Sequence, residues 1–154
     1  MHNLAAEVER ARSELERDRF SAVERLRELE ERWARSLLGL SQDADLVRQV
    51  GQWVEGGPDI SVAAEAARHL AAAERWQWEI GTWATGSGEG LASMAEVRAL
   101  QTARAWLCAA TGDAPGARAL IAQVEGDPNR LGAAHADSLR ALERILRGPS
   151  TGPA

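Results

Sequence analysis

The sequence predicts an all-α fold of about six helices, and three observations predict it. Apolar residues recur at helical spacing, the breaks between periodic runs carry helix caps and turn residues, and no segment alternates with period two. With 154 residues, 45% of them apolar and 27% charged, the chain fits one domain large enough to bury a core. That domain is expected over residues 1–147, followed by a disordered tail, "GPSTGPA", at 148–154.

The first helix is read over residues 4–40. Leu4, Val8, Ala11, Leu15, Ala22, Leu26, Leu29, Trp33, Leu37 and Leu40 advance around one face at close to 3.6 residues per turn. The remaining faces carry oppositely charged pairs at helical spacing, such as Glu28 with Arg32 and Glu31 with Arg35, as a solvated face requires. At roughly 1.5 Å per residue such a helix spans about 55 Å and overhangs any body built from the shorter helices that follow. Leu4, Val8 and Leu15 would then be left for a second copy to cover, so a homodimer through the amino-terminal helix is expected, with Phe20 at its edge. Phe20 and Leu38 lie off the stripe along one line of the surface and are the expected oligomer contact.

Residues 41–85 are expected to hold the second and third helices. Ser41 is read as an N-cap, Leu46, Val47, Val50, Trp53 and Val54 as the apolar face, and "EGGP" at 55–58 as the stop. The third helix opens near Ser61 and runs through "RWQWEIGTW" to about Thr85. Winding it at 100° per residue places Val62, Ala66, Leu70, Ala73 and Ile80 on one face, bordered by His69, Trp76 and Trp83. Ala67, Ala71 and Trp78 fall opposite, leaving only a narrow polar strip, and a helix apolar nearly all round belongs in the middle of a bundle. Trp78 either packs against a second layer or stands exposed as an anchor for a partner.

Residues 93–147 complete the set. "TGSGEG" at 85–90 is read as a flexible break, and Ser93 with Glu96 as the capping box of a fourth helix reaching Ala110. Asp113 caps a fifth helix with Pro115 in its first turn, "EGDP" at 125–128 ends it, and a sixth follows through Leu131, Leu139, Leu142, Ile145 and Leu146. Asp43, like Asp113, is read as a helix cap. Residues 37–58 align without gaps on 107–128, each reading as helix end, turn, capped helix and E-G-x-P stop, which suggests two three-helix units. The segment "GDAPGARALIAQVEGDP" also resembles a tetratricopeptide-type hairpin over about residues 104–128, with its Gly-Asp turn, small Ala117 and apolar Ile121. It departs from that pattern where Gln101 stands in place of a large residue and where Pro128 falls one position early. The resemblance implies stacked helical hairpins used as a binding scaffold.

A net charge of −5 and a pI near 5.3 argue against free nucleic acid as a partner, since sequence-independent affinity comes mainly from basic groups that release counterions. All 18 basic side chains are arginine, and tyrosine is absent, a bias of a GC-rich, bacterial or phage, coding background. With one cysteine, no apolar signal-peptide core and no membrane-length apolar run, the expectation is a soluble cytoplasmic protein. Trp33, Trp53, Trp76, Trp83 and Trp106 lie on inner faces, where they either fill a core or line an apolar pocket. His69 and His135 sit within apolar stripes as hydrogen-bonded core residues. Glu65 and His69 lack the repeated Glu-x-x-His set of a diiron bundle, and Cys108 reads as a buried structural thiol, so no metal, cofactor or catalytic residue is expected. The expected function is a non-enzymatic scaffold or adaptor; a small-molecule-binding bundle and a helical subunit of a nucleoprotein complex are the alternatives.

Overall fold

The computed structural model describes residues 3–57, 59–83, 87–126 and 133–148. Among them every regular element is helical: α1 (Leu4–Ser13), α2 (Arg19–Leu38), α3 (Leu46–Glu55), α4 (Ala63–Thr82), α5 (Ser87–Ala110), α6 (Ala114–Glu125) and α7 (Ala133–Leu146). A single 3₁₀ turn, Ile60–Val62, leads into α4. The fold is all-α, with seven helices in place of about six.

The additional helix comes from dividing the expected 4–40 helix. A turn at residues 14–17 separates α1 from α2, and Asp18 caps the new helix by accepting the amide of Ser21 (3.2 Å). The stripe leaves room for this break, since the chain places Asp18 and Arg19 where the next apolar residue is due after Leu15; what decides it is the cover that α1 gives to α2. α1 folds back on α2, burying Val8 and Ala11 against Leu26 and Leu29, with Leu4, Leu15, Trp33 and Trp76 packed around them. Arg25 adds an ion pair to Glu7 (2.6 Å) across the same interface. Among the described residues the chain thus covers its own amino-terminal stripe, and α1 lies on α2 rather than extending beyond it.

α4 is apolar nearly all round, and the fold covers both sides of it, with α2 packed along one and α5 along the other. α5 then carries α6 and α3, and more lightly α7. Leu70 of α4, Leu100, Trp106 and Leu107 of α5, Ile121 of α6 and Leu142 of α7 form the main core, separate from the small core under α1. Close packing of α3 on α5 depends on Gly51: a Cβ there would stand 3.2 Å from Cε2 and Cζ2 of the Trp106 indole. The two expected units correspond in element order (α2, α3, α4 with α5, α6, α7) but not in packing. α6 lies on the helix before it, whereas α3 lies on α5 and has no comparable contact with α2.

Several local expectations are corrected. Asp45, not Ser41 or Asp43, caps α3, accepting from the amide of Arg48, while the Ser41 hydroxyl accepts the amide of Asp43 in the preceding turn. Asp113 caps α6 as expected, accepting from the amide of Gly116 at 2.9 Å. α5 starts at Ser87, so Ser93 lies inside the helix rather than at its cap, and its hydroxyl accepts from Gln77 of α4 (3.0 Å). Pro58, Thr85, Leu131, Pro128 and the tail from 149 onward lie outside the described residues, as does the side chain of His135.

The loop between α2 and α3 is closed by Arg35 of α2 and Gln49 of α3. Gly39 takes the left-handed conformation (φ +68°) that ends α2, after which the amide of Leu40 returns to the carbonyl of Arg35 (2.8 Å). The guanidinium of Arg35 is buried, donates from Nη1 to the carbonyls of Ser41 and Ala44 (both 2.8 Å), and holds Glu31 through Nε and Nη2. Gln49 of α3 binds the same two carbonyls and the amide of Ser41.

Leu70 has no exposed surface and sits where α4 meets the main core. Leu70→Ala is expected to lower unfolding free energy by about 2–5 kcal/mol, measured by chemical denaturation.

Candidate functional site

Two sets of polar contacts join α4 to its neighbours, one toward α2 and one toward α5, from which it reaches α6. Toward α2, the carboxylate of Glu30, 3% exposed, accepts from Nδ1 of His69 at 2.6 Å. The imidazole stacks on Trp33 with ring centroids 4.0 Å apart, and Glu65 stands 4.0 Å from its other nitrogen. Two turns further on, the amide of Gln77 bridges three helices: it accepts from Arg27 of α2 (2.8 Å) and donates to Ser93 of α5. His69 is therefore a hydrogen-bonded core histidine, as its place on the stripe implies. Among the described residues no group of three or more His, Cys, Asp or Glu is placed to hold a metal ion.

Toward α5 the arrangement is different because it reaches solvent. Trp78 is 43% exposed, yet its indole N–H donates to Glu74 (3.1 Å) and the guanidinium of Arg98 lies 5.9 Å from its ring centroid. Glu74 in turn accepts from Arg104 and from Gln101 (3.1 Å). Gln101 is only 1% exposed; it also donates to Gln123 of α6 (2.9 Å) and accepts from Arg98 (2.6 Å). One buried amide thus ties α4, α5 and α6 together beneath the exposed indole. Of the two places expected for Trp78, the exposed one is the one it occupies. The signal in the sequence for the network under it is Gln101, which stands where a tetratricopeptide-type hairpin has a large residue.

The other singled-out residues separate. Phe20, 53% exposed, meets Trp83 with centroids 4.9 Å apart, next to the ion pair of Arg19 with Glu79. The bond from Arg19 holds the Glu79 carboxyl below its ordinary range. Leu38 is not on an outward line with Phe20: it is 5% exposed and belongs to the main core. Val8 is buried, and Leu4 and Leu15 are half-buried, beneath and beside α1. The five inner tryptophans stand in three places rather than around one cavity. Trp33 and Trp76 share the small core, Trp53 and Trp106 the main core, and Trp83 meets Phe20. Cys108 is half-buried, and burial together with the nearby Asp113 pushes its thiol up, away from the reactive thiolate. Ile145, expected on the apolar run of the last helix, is exposed, and so is Ile60 ahead of α4.

A groove of about 310 Å³ between α6 and α7 is lined by Arg118, Ile121, Glu125, Glu143, Leu146 and Arg147, among others. Burial first, and then the charge of Glu143, raise the Glu125 carboxyl above its ordinary range.

No protein-family model matches the chain, and comparison with curated proteins and with solved structures returns no match. No described helix is long and apolar enough to cross a membrane.

Two outcomes follow from these contacts. His69→Phe should cost about 1.5–3 kcal/mol by leaving the Glu30 carboxylate buried without its donor, and adding Glu30→Leu should recover most of that loss. A thermal-melt double-mutant cycle measures both. Glu143→Gln should stabilise the chain by up to about 1 kcal/mol near neutral pH, where both carboxylates repel. Because the folded-state value of Glu125 is raised, that repulsion grows as pH climbs through the carboxylate range and is absent below it. The gain should therefore vanish in acid, read as melting temperature against pH.

Proposed function

We propose that the chain is a non-enzymatic helical scaffold or adaptor that acts by binding another protein, with the exposed face of α4 and α5 around Trp78 as its contact surface. The observation that carries this reading is an exposed indole already fixed in place. Its N–H is engaged by Glu74, its ring is covered on one side by Arg98, and the buried Gln101 holds the helices beneath it. Tryptophan and arginine are the side chains most enriched where binding energy concentrates, and a rotamer fixed before binding costs little further entropy. The resemblance of residues 104–128 to a tetratricopeptide hairpin supports the same reading, because α5 and α6 present adjacent helices of the kind such scaffolds use.

Two alternatives are less well supported. A pocket lined by tryptophans would need them to converge, and they occupy three separate places. A nucleic-acid contact within a larger complex would need arginines available on one face, whereas Arg19, Arg25, Arg27, Arg35 and Arg104 each hold a glutamate. Self-association through the amino-terminal helix belongs to the proposal in an altered form. α1 is folded back, so a second copy has no bare overhang to cover and must take the place of α1 itself.

Trp78→Ala should leave the unfolding free energy within about 1 kcal/mol, since the side chain is largely at the surface. Affinity capture from the source proteome with wild-type and Trp78→Ala baits should recover a protein that the variant retains at least about 10-fold more weakly, quantified afterwards with the purified pair. Equal binding by both baits would reject the surface, and no protein partner at all would reject the function.

A further inference from the structure

The turn between α1 and α2 is built from residues that have no local reason to turn. Glu14, Leu15, Glu16 and Arg17 are all good helix formers; no glycine or proline lies among them, and no non-glycine residue in the described chain has a positive φ. The amide of Asp18 still returns to the carbonyl of Glu14 (2.9 Å), the spacing of an α-helix, and the amide of Ala22 returns to that of Asp18 (3.0 Å). The amides of Glu14, Leu15 and Arg17 return to carbonyls three residues back, a tightened helical turn. Asp18, at φ −149° and ψ 80°, is the residue that leaves helical geometry before α2. The apolar stripe also continues in phase across the turn, from Leu4, Val8, Ala11 and Leu15 to Ala22, Leu26, Leu29 and Trp33. Locally, residues 4–38 are a continuous helix in waiting, about 35 residues and roughly 50 Å long.

What opposes straightening is the coverage of α2. Leu26 and Leu29 have no exposed surface, with Val8 and Ala11 packed on them beside Trp33 and Trp76, and α1 packs chiefly on α2. A second copy can supply the same cover. In the closed hairpin Glu7 pairs with Arg25, two residues related about a point inside the 14–18 turn, and Val8 and Ala11 share the small core with Leu26 and Leu29. Two straightened chains lying antiparallel about a twofold axis at that point bring the partner's α1 onto α2 in the register that the chain's own α1 leaves. No contact of the small core is lost, the Asp18 cap is given up, and the first-turn amides of Arg19 and Phe20, which have no intrahelical acceptor in the closed form, gain one.

We infer that this chain forms a dimer by exchanging α1, with a second copy as the occupant of the α1-facing side of α2. This deepens the self-association part of the proposed function and uses none of the residues of the Trp78 surface.

The test uses the full chain in a Cys108→Ser background, which removes the only cysteine. One preparation carries Glu7→Cys and the other Arg25→Cys. The two are mixed from micromolar to near-millimolar concentration and treated with a short bis-maleimide. Exchange gives a covalent dimer joining residue 7 of one chain to residue 25 of the other, in a yield that rises with concentration. Asp18→Ala, which removes the cap that only the closed form uses, should tighten the dimer about 30-fold, the equivalent of about 1 kcal/mol for each of the two caps. Inserting Gly-Gly-Ser after Arg17 should relax the hinge and reduce the dimer yield. A monomer at every concentration for both wild type and Asp18→Ala, with helicity retained, overturns the inference. So does a dimer by sedimentation that gives no link between 7 and 25, since it would pair through another surface. Loss of partner binding by Trp78→Ala would leave either result unchanged, so the two readings fail separately.

Discussion

The architecture rests on the need to cover α4 on more than one side. Ala63, Ala66, Leu70 and Ala73 have no exposed surface, and the half-buried Ala67, Ala71 and Ala72 border them. Only the side with Ala64, Arg68, Arg75 and Trp78 faces solvent, so without cover the helix would be largely bare. Water would be left against most of its circumference, at about 25 cal/mol for each Å² of apolar surface. α2 and α5 satisfy that requirement from either side, and their own second faces then call for α1 over α2 and for α3 and α6 over α5. The order in which the helices stack follows from this one demand more directly than from any internal repeat.

Small side chains along α4 allow close approach, and polar groups then specify which approach is taken. Glu30 with His69, Gln77 with Arg27 and Ser93, and Gln101 with Glu74 and Gln123 each join at least two helices through buried or half-buried atoms. An apolar contact between alanine-rich faces tolerates sliding, whereas a buried amide or carboxylate is satisfied only in one register, and a slip would leave it without a partner. The alanines bring the helices together and the polar groups fix where they stop.

The fold was largely legible because its two strongest signals, helical periodicity and Asp or Gly caps, act over a few residues. Asp113, which caps α6 as its spacing implies, shows this directly. The break at 14–17 was not legible, since Glu14, Leu15, Glu16 and Arg17 favour a helix and only the coverage of Leu26 and Leu29 from a distance decides against one. Ser93 misled for a related reason: the S-x-x-E spacing is genuine, but a serine inside a helix can serve a neighbouring helix equally well. At the candidate site, the exposure of Trp78 was open to two answers. The network beneath it was invisible, because Glu74, Gln101 and Gln123 come together only once three helices are in place.

The grip of Arg35 on the α2–α3 loop gives the chain's exclusive use of arginine a structural meaning at one position. A guanidinium can hold two carbonyls with one nitrogen and a carboxylate with the others because its donors are rigidly splayed and it keeps its charge at any pH a folded protein meets. An ammonium on a flexible stem offers a single point of charge and could not face Ser41, Ala44 and Glu31 together. Whatever mutational pressure emptied the chain of lysine, reversing it here would not be neutral. Codon drift would meet a barrier at residue 35 that it would not meet at an arginine on the solvated face of α2, and the rate at which that position tolerates lysine among descendants of this sequence would record the difference.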